Sequence, residues 1–187
     1  MQAEAGTPLT PARPRRTVVV LGLAALWVAL DQATKVWAER ALTDGSVQVF
    51  GDLLRFHLVY NSGAAFSMGT GFTGVLTTVA SIIVVVIVWQ AFTVRSLPWA
   101  VALGLLLGGA AGNLVDRYFR DPAPGLGHVV DFIRLPNFPI FNVADIGVTT
   151  AAVLIALLAL RGEHPDGSRD GNPAEARHEN DHAEQNR

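Results

Sequence analysis

Four long apolar stretches interrupt an otherwise polar chain: Val18 to Trp37, Gly71 to Val94, Leu97 to Val115 and Ile140 to Leu160. About 20 residues at a rise of 1.5 Å cross the roughly 30 Å of hydrocarbon in a bilayer. Each stretch has about that length with few polar intruders, so the pattern predicts four membrane-spanning helices. Between the first two stretches the period changes: Leu54, Phe56, Leu58 and Tyr60 alternate with Arg55, His57 and Val59, after Val47-Gln48-Val49-Phe50 and Gly51-Asp52. Alternation at a period of two predicts a β-hairpin with its apolar face on the membrane or the helix ends and its polar face in water. A solvated loop with chance alternation is the plainer alternative. The fold class expected is an all-α membrane protein, a four-helix bundle carrying a small extracytoplasmic β-hairpin or cradle and an outer loop.

The two ends differ from this centre. Residues 1–16 contain Pro8, Pro11 and Pro14, and residues 161–187 are rich in Asp, Glu, Arg, His, Asn and Gly without apolar periodicity. Such segments cannot bury enough surface to offset their ordering entropy, so both are expected to be disordered tails around a membrane domain of residues 17–160. Arg13, Arg15 and Arg16 before the first apolar run resemble a signal peptide, but three further spans favour a retained first helix. These arginines, Arg95 in the link between spans two and three, and Arg161 after the last place both termini in the cytoplasm. Arg40, Arg55, Arg117, Arg120 and Arg134 in the outer loops weaken that bias beyond the first helix.

Composition supports one compact membrane domain, expected to be a monomer: 187 residues, 50% hydrophobic, 16% charged. A net charge of −2 gives no basic field for nucleic acid. With no cysteine there is no disulfide, thiolate metal site or cysteine nucleophile. His57 and His128 are the only histidines outside the tail, and no His-Glu-x-x-His cluster exists, so neither a metal nor a cofactor is expected.

Threading four alternating spans brings the polar intruders to one side. Asp31 and Lys35 lie late in helix one, Asn61 precedes helix two, Asn113, Asp116 and Arg117 close helix three, and Asn142 and Asp145 open helix four. Ionisable groups within a membrane are costly and face a bundle interior or an aqueous cavity, so one shared outer site accounts for them better than scattered accidents. Asp131, in Val-Val-Asp-Phe-Ile, and Asp145, in Phe-Asn-Val-Ala-Asp, stand 14 residues apart in apolar company. Two carboxylates in one site can share a proton and activate water.

Each residue also has a blander reading. Asp31 and Lys35 have the order and spacing of an ion pair on one helix face. Lys35, the only lysine, is also a candidate base for Ser62 or Ser67 in a Ser-Lys peptidase, although Asp31 would hold it charged. Arg117 alone is as well explained by snorkelling, while beside Asn113 it reads as a binding residue. Asn142 with Asp145 three residues on is close to a capping box. Gly108-Gly109-Ala110-Ala111-Gly112 and Asn61-Ser62-Gly63-Ala64-Ala65-Phe66 are packing signals first. Gly125-Leu126-Gly127 is followed by His128 and not by Asp, against a Gly-x-Gly-Asp intramembrane protease.

Five motifs in order carry a resemblance: Asp31-Gln32-Ala33-Thr34-Lys35, Asn61 to Phe66, Gly112-Asn113-Leu114-Val115-Asp116-Arg117, Val130-Asp131-Phe132 and Phe141-Asn142-Val143-Ala144-Asp145. From about Asp31 to Asp145 the chain resembles bacterial lipoprotein signal peptidase, the type II signal peptidase. The resemblance implies catalytic Asp131 and Asp145, a substrate pocket lined by Asn61, Asn113 and Arg117, and support from Asp31, Lys35, Asp116 and Asn142. It also implies a diacylglyceryl-prolipoprotein substrate drawn from the membrane lipid and cut on the amino side of its lipidated cysteine. The polar tail beyond Arg161 lies outside the family pattern.

Asp145 at a helix N-terminus favours the ionised form, and Asp131 between Val130 and Phe132 the neutral one. Asp145 is then the base for water and Asp131 the acid. A proton-coupled carrier using the same carboxylates is the main rival, but carriers place such acids at midspan in repeated halves, and neither is visible here. A non-catalytic scaffold pairing the acids with Arg117 and Lys35 is the third reading.

Overall fold

The computed structural model describes residues 15–63 and 73–170. The first 14 residues, Ala64 to Phe66 of the Asn61 motif, Ser67, the predicted start of the second span at Gly71, and the tail from residue 171 onward lie outside the described residues. Among the described residues, four helices are long and apolar enough to cross a membrane: α1 Thr17–Ala41, α2 Thr73–Ala91, α3 Leu97–Phe119 and α4 Val143–Leu160. Exposed Val18, Val85, Trp89 and Leu160 give the bundle the apolar exterior that lipid requires.

α3 is the central helix. Of its most apolar window 56% is buried inside protein, against 17% for α1 and α2 and 22% for α4. Its glycines make this possible. A methyl on Gly108 would meet Trp27 and the Ala24 carbonyl of α1, and one on Gly109 would overlap the Ala144 carbonyl of α4. The run from Gly108 to Gly112 therefore serves two contacts at once, letting α1 and α4 approach α3 on different sides. Trp27 Nε1 ties α1 to α4 by donating to the Val143 carbonyl at 3.1 Å.

The predicted hairpin is present as β1 Val47–Phe50 and β2 Leu54–Asn61, and a third strand, β3 Val129–Arg134, adds to it in the antiparallel order β1-β2-β3. Phe56 and Leu58 pack with Phe132 on Ala38 and Leu42 at the end of α1. The simple alternation along β2 does not hold to its end. Phe56 pairs with Ile133 but Val59 with Asp131, so a bulge inserts one extra residue into β2. The inserted residue shifts the phase: Val59 and Asn61 continue the face that Phe56 begins, while Tyr60 turns outward and is 54% exposed.

The segment from Arg161 to Asp170, expected as structureless tail, is folded as turns. Glu163 bridges to Arg169, and the Pro165 carbonyl accepts from the Arg95 and Ser96 amides at 2.9 and 3.0 Å. Polar composition misled here because a short segment can be ordered by docking on existing helix ends, with no core of its own.

Candidate active site

Asp131 arrives on β3 and Asp145 on the first turn of α4. The register places Asp131 opposite Val59, so Asn61, two residues along the same face of β2, is its diagonal neighbour. Asn61 Nδ2 donates to Asp131 Oδ2 at 2.8 Å, and Asn142 Nδ2 donates to Oδ1 at 2.7 Å. Asn142 is also the N-cap of α4 in a complete capping box: its Oδ1 accepts from the Asp145 amide at 3.0 Å, and its own amide donates to Asp145 Oδ2 at 3.1 Å. One asparagine thus touches both carboxylates. Asn113 Nδ2 donates to the remaining oxygen of Asp145 at 2.9 Å.

Beneath the two acids lies a buried ion network. Lys35 Nζ meets Asp31 Oδ2 at 2.8 Å, Asp116 Oδ2 at 2.7 Å and Asn113 Oδ1 at 3.0 Å, so its three donor positions are all used. Lys35, Asp31 and Asp116 are fully buried. A lysine engaged in this way has no lone pair to offer, which removes the Ser-Lys alternative for Ser62. Each acid of the network also holds a backbone. Asp31 Oδ1 accepts from the Ala144 amide in the first turn of α4 at 2.9 Å, and Asp116 Oδ2 accepts from the Val130 amide beside Asp131 at 3.2 Å. Lys35 therefore joins the support of the helix carrying Asp145 to the support of the strand carrying Asp131.

Arg117 is 9% exposed and is no snorkelling anchor. Its Nη1 donates to the Gly127 carbonyl at 2.9 Å and the Asn61 carbonyl at 3.2 Å, fixing the end of β2. A cavity of about 280 Å³ is walled by Asn61, Asn113, Arg117, Asp131 and Asp145, with Leu76, Thr77 and Ala80 from α2. The cavity brings together the two acids and the three predicted binding residues, while Asp31, Lys35, Asp116 and Asn142 stand behind the wall. Burial pushes the Asp131 carboxyl up to about 6; donation from Asn61 opposes this, the nearby Asp145 charge adds to it, and Asn142 and Lys35 oppose it.

Three participants escaped the sequence reading. Gln32 Nε2 lies within 3.1 to 3.2 Å of Asp31 Oδ2, the Gly112 carbonyl and Asp116 Oδ1, bridging α1 to α3. Arg120 Nε donates to Asp116 Oδ1 at 2.8 Å, and its Nη1 pairs with Glu39. Gln32 stands inside the Asp31–Lys35 motif, so its position was the available signal. The pairing of Arg120 with Glu39 spans 81 positions and has no local sequence signature.

The model of the family described as signal peptidase (SPase) II matches residues 23–161. This chain belongs to the signal peptidase II family. Among similar proteins, the lipoprotein signal peptidase of Mycobacterium bovis is 49% identical over 159 residues, covering 84% of this chain and 79% of that protein. The lipoprotein signal peptidase of Rhodococcus jostii is 46% identical over 165 residues, covering 88% of this chain and 83% of its own. A solved structure described as a bacterial membrane enzyme superposes with a TM-score of 0.71 at 28% identity, covering 81% of this chain and 99% of that one. Signal peptidase II enzymes are aspartic peptidases, so family membership decides against the carrier and the scaffold, and the four apolar helices make this member a multi-pass membrane protein.

Proposed function

We propose that this signal peptidase II cuts diacylglyceryl-modified prolipoproteins on the amino side of the lipidated cysteine, using Asp131 and Asp145 as a water-activating pair. The observation that carries this reading is the contact of Asn142 with both carboxylates at the wall of one cavity.

Asp145, at the N-terminus of α4, takes a proton from water as the base, and the oxygen attacks the scissile carbonyl carbon. Asp131, raised to about 6 and so more readily protonated than an ordinary carboxyl, donates to the carbonyl oxygen during attack. As the tetrahedral intermediate collapses, the carbon–nitrogen bond breaks and a proton passes through the pair to the leaving amine. Two like charges in one site cannot comfortably both ionise, so the pair cycles as a unit holding one proton. Asn61, Asn113 and Arg117 line the path of the peptide, and the diacyl chains remain in the bilayer, so apolar burial retains the substrate.

The enzyme acts as a monomer in the bacterial cytoplasmic membrane, both termini inside and the aspartates at the outer face. Arg15, Arg16 and Arg95 at one end of the bundle support that orientation. The decisive assay incubates the purified protein with a lipidated precursor. Cleavage by the wild type, its loss in Asp131→Asn and in Asp145→Asn, and slower cleavage of an unlipidated precursor are expected. Near wild-type turnover in either variant would overturn the assignment. Because the chain has no cysteine, thiol labelling of Asp52→Cys from outside the cell, without labelling of Ser168→Cys, checks the orientation.

A further inference from the structure

At the end of the bundle opposite the aspartates is a cleft of about 580 Å³. Its walls include Arg16 before α1, Arg95 and Ser96 before α3, and Glu163 and Arg169 of the turn segment after α4. Arg169 pairs with Glu163, the one carboxylate among the described lining residues. Neither Arg16 nor Arg95 forms an ion pair among the described residues, although both are half-buried. Arg16 Nε is fully buried and has no hydrogen-bond partner among the described residues.

Arginines at a membrane surface ordinarily extend into water or headgroups, which solvate every guanidinium nitrogen. Arg16 Nε is shut off from both, and the main chain of each arginine is anchored. Arg16 is held by its amide on the Val94 carbonyl at 2.8 Å, and Arg95 by its amide on the Pro165 carbonyl at 2.9 Å. Two unpaired like charges sharing one cleft repel each other and lose hydration, a cost that an anion between them would reverse. Helix ends add to the same field. Neither α1 nor α3 has a side-chain N-cap or an acid in its first turn, and Arg16, Leu97 and Pro98 bring both positive termini to the cleft.

We propose that this cleft binds the phosphate of an anionic phospholipid from the leaflet opposite the active site, with Arg16 and Arg95 as its two cationic clamps. Arginine is suited to phosphate because its planar fork makes paired, charge-assisted hydrogen bonds. A lipid is favoured over a soluble phosphate because the cleft lies at the ends of membrane-spanning helices, where basic pockets meet headgroups. The acyl chains would run along the apolar exterior of the bundle. The lipid would lock the α2–α3 link to the start of α1 and to the folded segment after α4.

Full-length protein in detergent tests this by thermal unfolding and native mass spectrometry with added phosphatidylglycerol, phosphatidylcholine or inorganic phosphate. Wild type is expected to gain several degrees in Tm with phosphatidylglycerol and to retain it at least fivefold over phosphatidylcholine. Arg16→Gln/Arg95→Gln is expected to lose that preference while still cleaving lipidated precursor. Absence of the preference in wild type overturns the proposal even if the double variant fails to fold. An equal preference in a folded double variant overturns it too, and inorganic phosphate matching the lipid's effect overturns the lipid assignment.

Discussion

Asn142 donates its side-chain amide to Asp131 at 2.7 Å while its backbone amide is held by Asp145, so the helix cap and the bridge between the acids are one residue. The two roles separate by substitution. Serine caps a helix about as well as asparagine but is too short to bridge, so Asn142→Ser should keep the cap and lose about 1–3 kcal/mol with the buried donations to Asp131 and Asn113. Its kcat should fall on the order of 100-fold, as expected when a reacting group drifts from its productive position. Asn142→Ala should lose about 1 kcal/mol more than the serine variant, the contribution of the cap itself. Thermal unfolding and turnover of a lipidated precursor check both, and wild-type turnover in the serine variant would contradict the bridge.

Removing the charge of Lys35 leaves Asp31 and Asp116 buried without their shared cation. Lys35→Met should therefore cost about 3–5 kcal/mol, the range for breaking a buried ion pair from one side. Asp31→Asn in the same chain should recover part of that loss, because it removes a charge that now lacks a partner. Unfolding midpoints of the single and double variants decide the point, and no recovery in the double variant would count against a shared network.

The raised Asp131 carboxyl links stability to pH. The folded state binds a proton more tightly than the unfolded chain between the ordinary value of 3.8 and about 6, so this group's contribution falls as pH rises through that window. Asp131→Asn cannot ionise there. Its stability relative to wild type should improve by about 2 kcal/mol from pH 4 to pH 7, most of the roughly two-unit difference at about 1.36 kcal/mol each, because at pH 4 the unfolded carboxyl is already largely ionised. The same ionisation should make kcat/KM of the wild type fall as pH rises through about 6, the signature of an essential acid. A flat difference in unfolding midpoint between pH 4 and pH 7 would contradict the linkage.

Helix packing sets the site from a distance. A methyl on Gly109 overlaps the Ala144 carbonyl and would lie 2.8 Å from Val148 Cγ2, so Gly109→Ala must push α4 and Asp145 away from α3. It should lower both stability, by about 1–3 kcal/mol as overpacking does, and turnover. Gly22→Ala is the control, with nothing within 4 Å of the added carbon and stability expected unchanged or slightly higher. Equal turnover in the two variants would rule out this coupling.

Much of this molecule could be read from order along the chain. Four spans were legible because hydrocarbon thickness dictates the length of an apolar helix, and their alternation brought Asp31, Asn113 and Asp145 to one side without any packing knowledge. The Asp31–Lys35 pair and the Asn142–Asp145 box were legible because a helix brings residues three and four apart into contact. What required the folded chain was everything joined across elements. The strand that carries Asp131, the bulge that turns Asn61 toward it and Tyr60 away, and the Glu39–Arg120 pair depend on strand register and helix approach. So does Lys35 as a strut between the supports of both acids, since its contacts with Asp116 and Asn113 cross from α1 to α3. Local spacing encodes contacts within one helix, whereas close approach between helices is decided by how the small residues of α3 pack, and that exists only in three dimensions.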